Sequence, residues 1–319
     1  MKRKILLQLV VPLLGLCILF VLLAFDPGQS SRETELLEMS VIFRESDGSV
    51  QSASRQGMEQ AAADLGVELR LLSPSSGNDP AEQAELLGRE VDGGAGAILL
   101  IPADREVLAP AVEAAARETS VVTLETDMRD FGAAAWVGVD NKALGEALGT
   151  AALNGAMTGQ RVLVVDSVPG DTGVADRLEA AKTVLEAAGR KVELCRGGEG
   201  QSLSDALAAK LELSRPALLL AFEPTGLEQA AQAAQALENP PLVYGMGSTA
   251  AIAADLEQGG ITAIAAQNEF AAGYLAVAAA VSAAGHKPAQ PAAPLEFTLV
   301  RQESMYDPDN QKLLFPVTR

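Results

Sequence analysis

From residue 39 onward, short runs of β-branched and aliphatic residues alternate with longer alanine-rich stretches whose apolar positions recur at helical spacing. The strand-like runs fall at residues 40–43, 67–72, 97–101, 121–124, 136–139, 161–165, 191–194, 217–221, 242–244 and 262–266. Helical spacing marks residues 51–65, 81–91, 142–156, 174–188 and 226–237. Strands separated by helices of this length predict right-handed βαβ crossovers and parallel sheets. So many strands exceed one comfortable doubly wound sheet, and the expected fold is α/β with two similar doubly wound lobes. No long Pro/Gly linker divides the chain, which implies that it passes between the lobes more than once. A low-complexity patch at residues 288–294 precedes one last strand at 295–300 and suits a final crossover.

The N-terminal pattern is different. Lys2, Arg3 and Lys4 precede an uncharged run over residues 5–25, interrupted only by Gln8 and Pro12. Roughly 20 apolar residues are what a helix needs to cross the hydrocarbon core. A secretory signal has a shorter apolar region and ends in small residues, whereas this run exits through Leu23-Ala24-Phe25-Asp26-Pro27, a poor cleavage site. Leu16 before Cys17, and the apolar run beyond it, also speak against a lipoprotein signal. Residues 1–26 are therefore expected to be a retained single-pass anchor and residues 27–38 a tether. Basic residues ahead of the span place the rest of the chain outside the cytoplasm, at the cell membrane.

Composition narrows the chemistry. The 319 residues are 48 % hydrophobic and carry a formal charge of −18, which argues against nucleic acid as a partner. One histidine, His286, and two cysteines, Cys17 in the apolar run and Cys195 at a strand end, offer neither a disulfide framework nor a zinc cluster. No cofactor and no metal are expected.

In open α/β sheets ligands bind beyond the carboxyl ends of the strands. The residues that follow the strands here are Arg44-Glu45-Ser46-Asp47, Pro102-Ala103-Asp104, Glu125-Thr126-Asp127, Asp140-Asn141, Asp166-Ser167, Glu223, Gly247-Ser248 and Gln267-Asn268-Glu269. Nearly all are polar and many are carboxylates, good acceptors for the hydroxyls or amines of a polar ligand. The same residue types also cap helices; Asp79, just before Pro80, reads as a cap alone. Arg177, one turn into its helix, could pair on the surface with Asp171 or Asp176, or reach into the cleft as an anchor for a ligand oxygen. Trp136 reads as a packing residue at a strand start rather than a stacking platform.

An ordered series of motifs then carries a resemblance. Arg55-Gln56-Gly57 through Leu65-Gly66, Asp79-Pro80-Ala81-Glu82-Gln83 and Gly94-Ala95-Gly96-Ala97-Ile98-Leu99-Leu100-Ile101-Pro102-Ala103-Asp104 are followed by Val121-Val122-Thr123-Leu124-Glu125-Thr126. Val139-Asp140-Asn141-Lys142-Ala143-Leu144-Gly145 and Gly170-Asp171-Thr172 complete it, with Arg177 downstream. From about residue 40 to about residue 300 the chain resembles the ribose-binding-protein-like family of periplasmic sugar-binding proteins, with the type I periplasmic-binding-protein fold. The resemblance implies two lobes, residues 39–139 with 268–293 and residues 140–267 with 294–319. Three hinge crossovers join them, and they close on a sugar. It places Glu125 and Thr126 where the family has an Asp-Arg pair, Asp140 and Gln267 in hinge positions, Arg177 at the ligand-holding arginine and Glu223 where asparagine is usual. Asp47 belongs to the same expected set, near the first strand. The sequence departs from the family where ring-stacking aromatics are replaced by Val50 and Gln51, an asparagine by Ile101 and a carboxylate by Gly247.

Enzyme readings fare worse. Gly245-Met246-Gly247-Ser248-Thr249-Ala250 fits a dinucleotide fingerprint with Glu269 about 20 residues on. Too little chain follows it, however, for a full nucleotide-binding half. His286 sits in a loop ahead of prolines with no G-x-S-x-G elbow to pair with. Paired carboxylates suited to glycoside chemistry stay open on sequence alone. The expectation is a solute-binding protein, not an enzyme, that captures a sugar or polyol for an ABC transporter permease. The alternative is the ligand-sensing ectodomain of a membrane signalling complex with a sensor kinase.

Overall fold

The computed structural model describes residues 36–45, 52–155, 161–198, 200–287 and 294–315. The predicted anchor and tether up to residue 35, and Asp47, lie outside the described residues. Among those described, no helix is long and apolar enough to cross a membrane.

Two sheets carry the fold. The first contains β1 (Leu37–Ile42), β2 (Val67–Leu72), β3 (Ala97–Leu100), β4 (Ser120–Leu124) and β5 (Ala135–Val137), in the order β2-β1-β3-β4-β5 with every pairing parallel. The second holds β6 (Arg161–Val165), β7 (Lys191–Cys195), β8 (Leu218–Ala221), β9 (Leu242–Met246), β10 (Ala263–Gln267) and β11 (Phe297–Arg301). Its order is β11-β10-β9-β8-β6-β7. β11 is antiparallel to β10, a departure from the all-parallel expectation. The chain re-enters the second sheet beside β10 after running the other way, so its last strand can only join the edge antiparallel.

Helices cover both faces of each sheet, and the strands are buried apolar runs as that layering demands. The connecting helices are α1 (Ser52–Leu65), α2 (Pro80–Asp92), α3 (Arg105–Ala115), α4 (Asn141–Asn154), α5 (Thr172–Ala187), α6 (Leu203–Ser214), α7 (Pro224–Gln235), α8 (Ala250–Glu257) and α9 (Glu269–Ala284). α10 (Pro308–Leu314) follows β11. One core of the first sheet joins Met58, Val122 and Val137 to Ala276 and Ala280 of α9, and the other joins Ile98 and Leu100 to Leu87, Leu108 and Val112. The second sheet has Leu144, Leu148, Leu178 and Phe222 on one face and Leu207, Leu227, Ile252 and Leu314 on the other. Thus the chain leaves the first sheet after β5, returns to it as α9, and leaves again to form β11. The last passage is fastened where Leu295 bridges Val139 and its amide donates to the Gly138 carbonyl at 2.7 Å.

Asparagine and aspartate at the strand ends start the helices. Asp79 accepts from the amides of Ala81 and Glu82 and has Pro80 at the first helical position, as its spacing predicts. Asp104, Asp140, Asp171, Glu223 and Asn268 cap α3, α4, α5, α7 and α9 in the same way. Gly145 lets α4 lie against α5: a Cβ there would stand 2.1 Å from the Arg177 carbonyl oxygen. That contact fixes the height at which the Arg177 side chain enters the cleft.

Candidate functional site

The carboxyl ends of the two sheets face each other, and the cavity between them is lined by Arg44, Ser54, Glu125, Arg177, Glu223, Pro224, Met246, Gln267 and Glu269. Its volume is about 30 Å³, space for roughly one water molecule, so the lobes stand closed on it. Their apposition shows also at Gly170, at φ +107, where an added Cβ would lie 2.5 Å from Oδ2 of Asp104 in the opposite lobe.

Arg44, at the end of β1, dominates the first wall. It is 3 % exposed, and its Nη1 lies 2.6 Å from Oδ2 of Asp171 and 3.2 Å from Oε2 of Glu125. Asp171 belongs to the second lobe, so this ion pair spans the cleft. Burial alone would lower the guanidinium pKa, but Glu125, Asp171, Glu223 and Glu45 outweigh it and hold the group above its ordinary value. Arg44 stood in the row of strand-following residues; its β1 position gave no sign that its side chain would turn across the cleft. Glu125 has φ +69, an uncommon conformation for a residue with a side chain. It is held there by its backbone N–H, which donates to the Val137 carbonyl, and by the Trp136 indole, which donates to its own carbonyl at 3.0 Å. Trp136 thus shapes the Glu125 turn from behind, and the Arg129 guanidinium covers its ring.

In the second wall Arg177 is 4 % exposed. Its Nε donates to Asn141 Oδ1 and its Nη1 to the Phe222 carbonyl, both at 2.7 Å. Neither Asp171 nor Asp176 is its hydrogen-bond partner. Burial lowers its pKa against the pull of Asp171 and Glu125. Glu223 is fixed too: it caps α7 through the amides of Thr225 and Gly226 and accepts from Ser167 Oγ at 2.5 Å. Gln267 and Glu269 stand where β10 passes into α9. The Gln267 amide nitrogen donates to Glu269 Oε1 at 2.9 Å, leaving its own Oε1 buried without a partner. Burial, reinforced by Glu125, pushes the Glu269 carboxyl up to about 7.

Of the residues singled out in the sequence, Glu125, Arg177, Glu223 and Gln267 come together at this cavity. Thr126 is 2 % exposed with Oγ1 unpartnered, but lies behind the lining. Asp140 sits at the first passage between the sheets and caps α4 through the Ala143 amide. Arg44 and Glu269 come from the row of strand-following residues, and Ser54, Pro224 and Met246 are additions. Gly245 lies inside β9 rather than in a turn, so the G-x-G-x-x-A stretch forms no loop that could cradle a phosphate at its first glycine. Cys195 is buried on β7, and burial pushes its thiol pKa up.

The periplasmic binding protein domain family matches residues 39–288. A carbohydrate transporter solute binding protein from Agrobacterium radiobacter, in complex with D-arabinose, superposes with a TM-score of 0.81 at 20 % identity, covering 88 % of this chain and 99 % of that one. An ABC transporter solute binding protein from Agrobacterium vitis with bound D-fucose gives 0.79 at 18 % identity, covering 87 % and 100 %. The XylFII-LytSN complex gives 0.75 at 16 % identity, covering 84 % and 98 %. No curated protein sequence matches the chain. At such identities the structural likeness is one of fold, while the family match spans most of the chain. The resemblance carried by the sequence motifs therefore holds: the chain belongs to the periplasmic binding protein domain family, and it is a binding protein rather than an enzyme.

Proposed function

We propose that this protein captures a small polar ligand, a sugar or polyol, by closing two lobes around it outside the cytoplasm. It would then deliver the ligand to an ABC permease. The lobes are residues 39–139 with 268–293 and 140–267 with 294–319, and residues 1–26 hold them at the membrane through a tether over 27–38. One observation carries the reading. Fixed polar groups of both sheets, Glu125 from one and Arg177 and Glu223 from the other, face a single cavity. A ligand touching both walls binds the closed form better than the open one, and that difference drives closure. The D-arabinose and D-fucose held by two proteins of the same fold support the ligand class.

The test is a thermal-shift screen of the full-length protein with monosaccharides and polyols. At about 100 times the dissociation constant a ligand adds roughly 2.7 kcal/mol of stability. The reading fails if no small polar solute raises the melting temperature. Retention in membranes after alkaline carbonate washing checks the anchor, and mature protein starting near Gly28 in the extracytoplasmic fluid would remove it from the proposal.

A second reading, a sensing ectodomain, is favoured by the likeness to the XylFII-LytSN complex. Co-purification of a sensor kinase with the liganded protein, in place of a permease, would decide for it.

A further inference from the structure

Resting on the solute-binding reading above, we propose that the ligand carries a protonated amine beside its hydroxyls, as an amino sugar or aminopolyol does. The amide oxygen of Gln267 and the carboxylates of Glu269 and Glu125 would hold that amine.

The groups already at the cavity argue for this charge. Arg44 and Arg177 face Glu125, Asp171, Glu223 and Glu269, two cations against four carboxylates. Asp171 is engaged by Arg44 and the Val174 amide, and Glu223 by Ser167 and the α7 amides. The acceptor capacity that remains open gathers at Gln267, Glu269 and Glu125.

Gln267 supplies the independent sign. It is 5 % exposed, its nitrogen is turned to Glu269, and its Oε1 has no donor. A buried acceptor without a partner is costly, and a bound donor would satisfy it. An ammonium offers three donors and no acceptor, which suits a site of one amide oxygen and two carboxylates. The existing void of about 30 Å³ is of the size such a head group needs, and lobes closing less tightly than here would enclose the rest. Among the described residues no aromatic ring lines the cavity, so there charge supplies what stacking does not. Arg177 stays available to the hydroxyl oxygens.

Glu269 also gives the proposal a pH signature. The charged and titratable groups facing it are Glu125, Arg177 and Arg44, with Gln267 alongside, and its carboxyl titrates near 7. A cation bound there favours the ionised carboxylate, so affinity for an amine rises with pH through that range, whereas affinity for a neutral polyol does not.

The experiment compares 1-amino-1-deoxy-D-sorbitol with D-sorbitol on the full-length protein, by thermal shift and calorimetry from pH 5.5 to 8. Charge-assisted bonding predicts binding of the amine about ten- to a hundredfold tighter at pH 8, with the gap narrowing toward pH 5.5. Glu269→Gln should close most of the gap between the amine and sorbitol and remove its dependence on pH. If that variant fails to fold, the pH dependence of the parent decides alone. Equal or tighter binding of sorbitol overturns the amine proposal and leaves the solute-binding reading intact. Binding of neither, in a protein that other neutral sugars stabilise, overturns it as well. Failure of every polar solute sinks both.

Discussion

The two walls of the cleft are built on different principles. In the second lobe the polar groups are fixed by their own lobe: Arg177 is pinned to Asn141 and the Phe222 carbonyl, and Glu223 is locked as the cap of α7. In the first lobe the Glu125 backbone is held in this way, by Val137 and Trp136, but its carboxylate is not. Glu125 sits in a left-handed conformation and shares Arg44, whose other partner, Asp171, belongs to the opposite lobe. One wall is preformed and the other depends on closure. A ligand that binds must therefore compete with, or be complemented by, an ion pair that already holds the lobes together. Any opening of the lobes has to break the Arg44–Asp171 pair, and any closing has to remake it.

The strongest way to break this asymmetry is Arg44→Ala. Removing one partner of a buried ion pair costs about 3–5 kcal/mol, and Glu125, more open to solvent than Asp171, places the expectation near the lower end. Denaturant unfolding measures the loss, and small-angle scattering should show the ligand-free domain expanding. An unchanged radius together with unchanged stability would remove the interlobe lock.

Arg177→Ala and Glu125→Ala test the walls separately. Each should weaken ligand binding by about 2–3 kcal/mol by leaving a ligand group unpaired. Arg177→Ala should also lower the stability of the protein, by about 1–3 kcal/mol, because it strips the Phe222 carbonyl and Asn141 of their donor, whereas Glu125→Ala costs less because Arg44 keeps Asp171 as a partner. Equal stability loss in both variants would contradict the preformed second wall.

A further expected effect is a pH dependence of the protein's stability. Glu269 has an ordinary value of 4.5 and a folded one of about 7, so between these the folded state holds more protons than the unfolded state. Stability contributed at this site therefore falls as pH rises from about 4.5 to about 7. Glu269→Gln should flatten that slope, as melting temperatures across the range would reveal; a slope that persists undiminished assigns it to other groups.

Much of this was legible in the chain. Period and length placed the strands and half of the helices because buried parallel strands must be apolar runs and their helices must carry a stripe. The cap at Asp79 followed from local chemistry, since a cap bonds only two or three residues ahead, while Asp140 and Glu223, expected at the hinge and the ligand, cap helices as well. α9 was harder to mark: its residues are so uniformly apolar that no polar face sets it off from a strand. β11 misled in direction, because strand polarity depends on where the preceding crossover ends and not on the residues of the strand.

The site divides along the same line. Sequence alone determined that polar residues would gather at the strand ends, and so brought Glu125, Glu223 and Gln267 into view, while Arg177, inside a helix, came from the family resemblance. Tertiary structure alone decided that Arg44 would bridge to Asp171, 127 positions away, that Arg177 would take a backbone carbonyl rather than a neighbouring aspartate, and that the Gln267 oxygen would be left without a donor. Local pattern records only which side chains follow a strand. Which of them meet, and which remain unsatisfied, depends on how closely two separately wound sheets approach, and no stretch of either sheet encodes that distance.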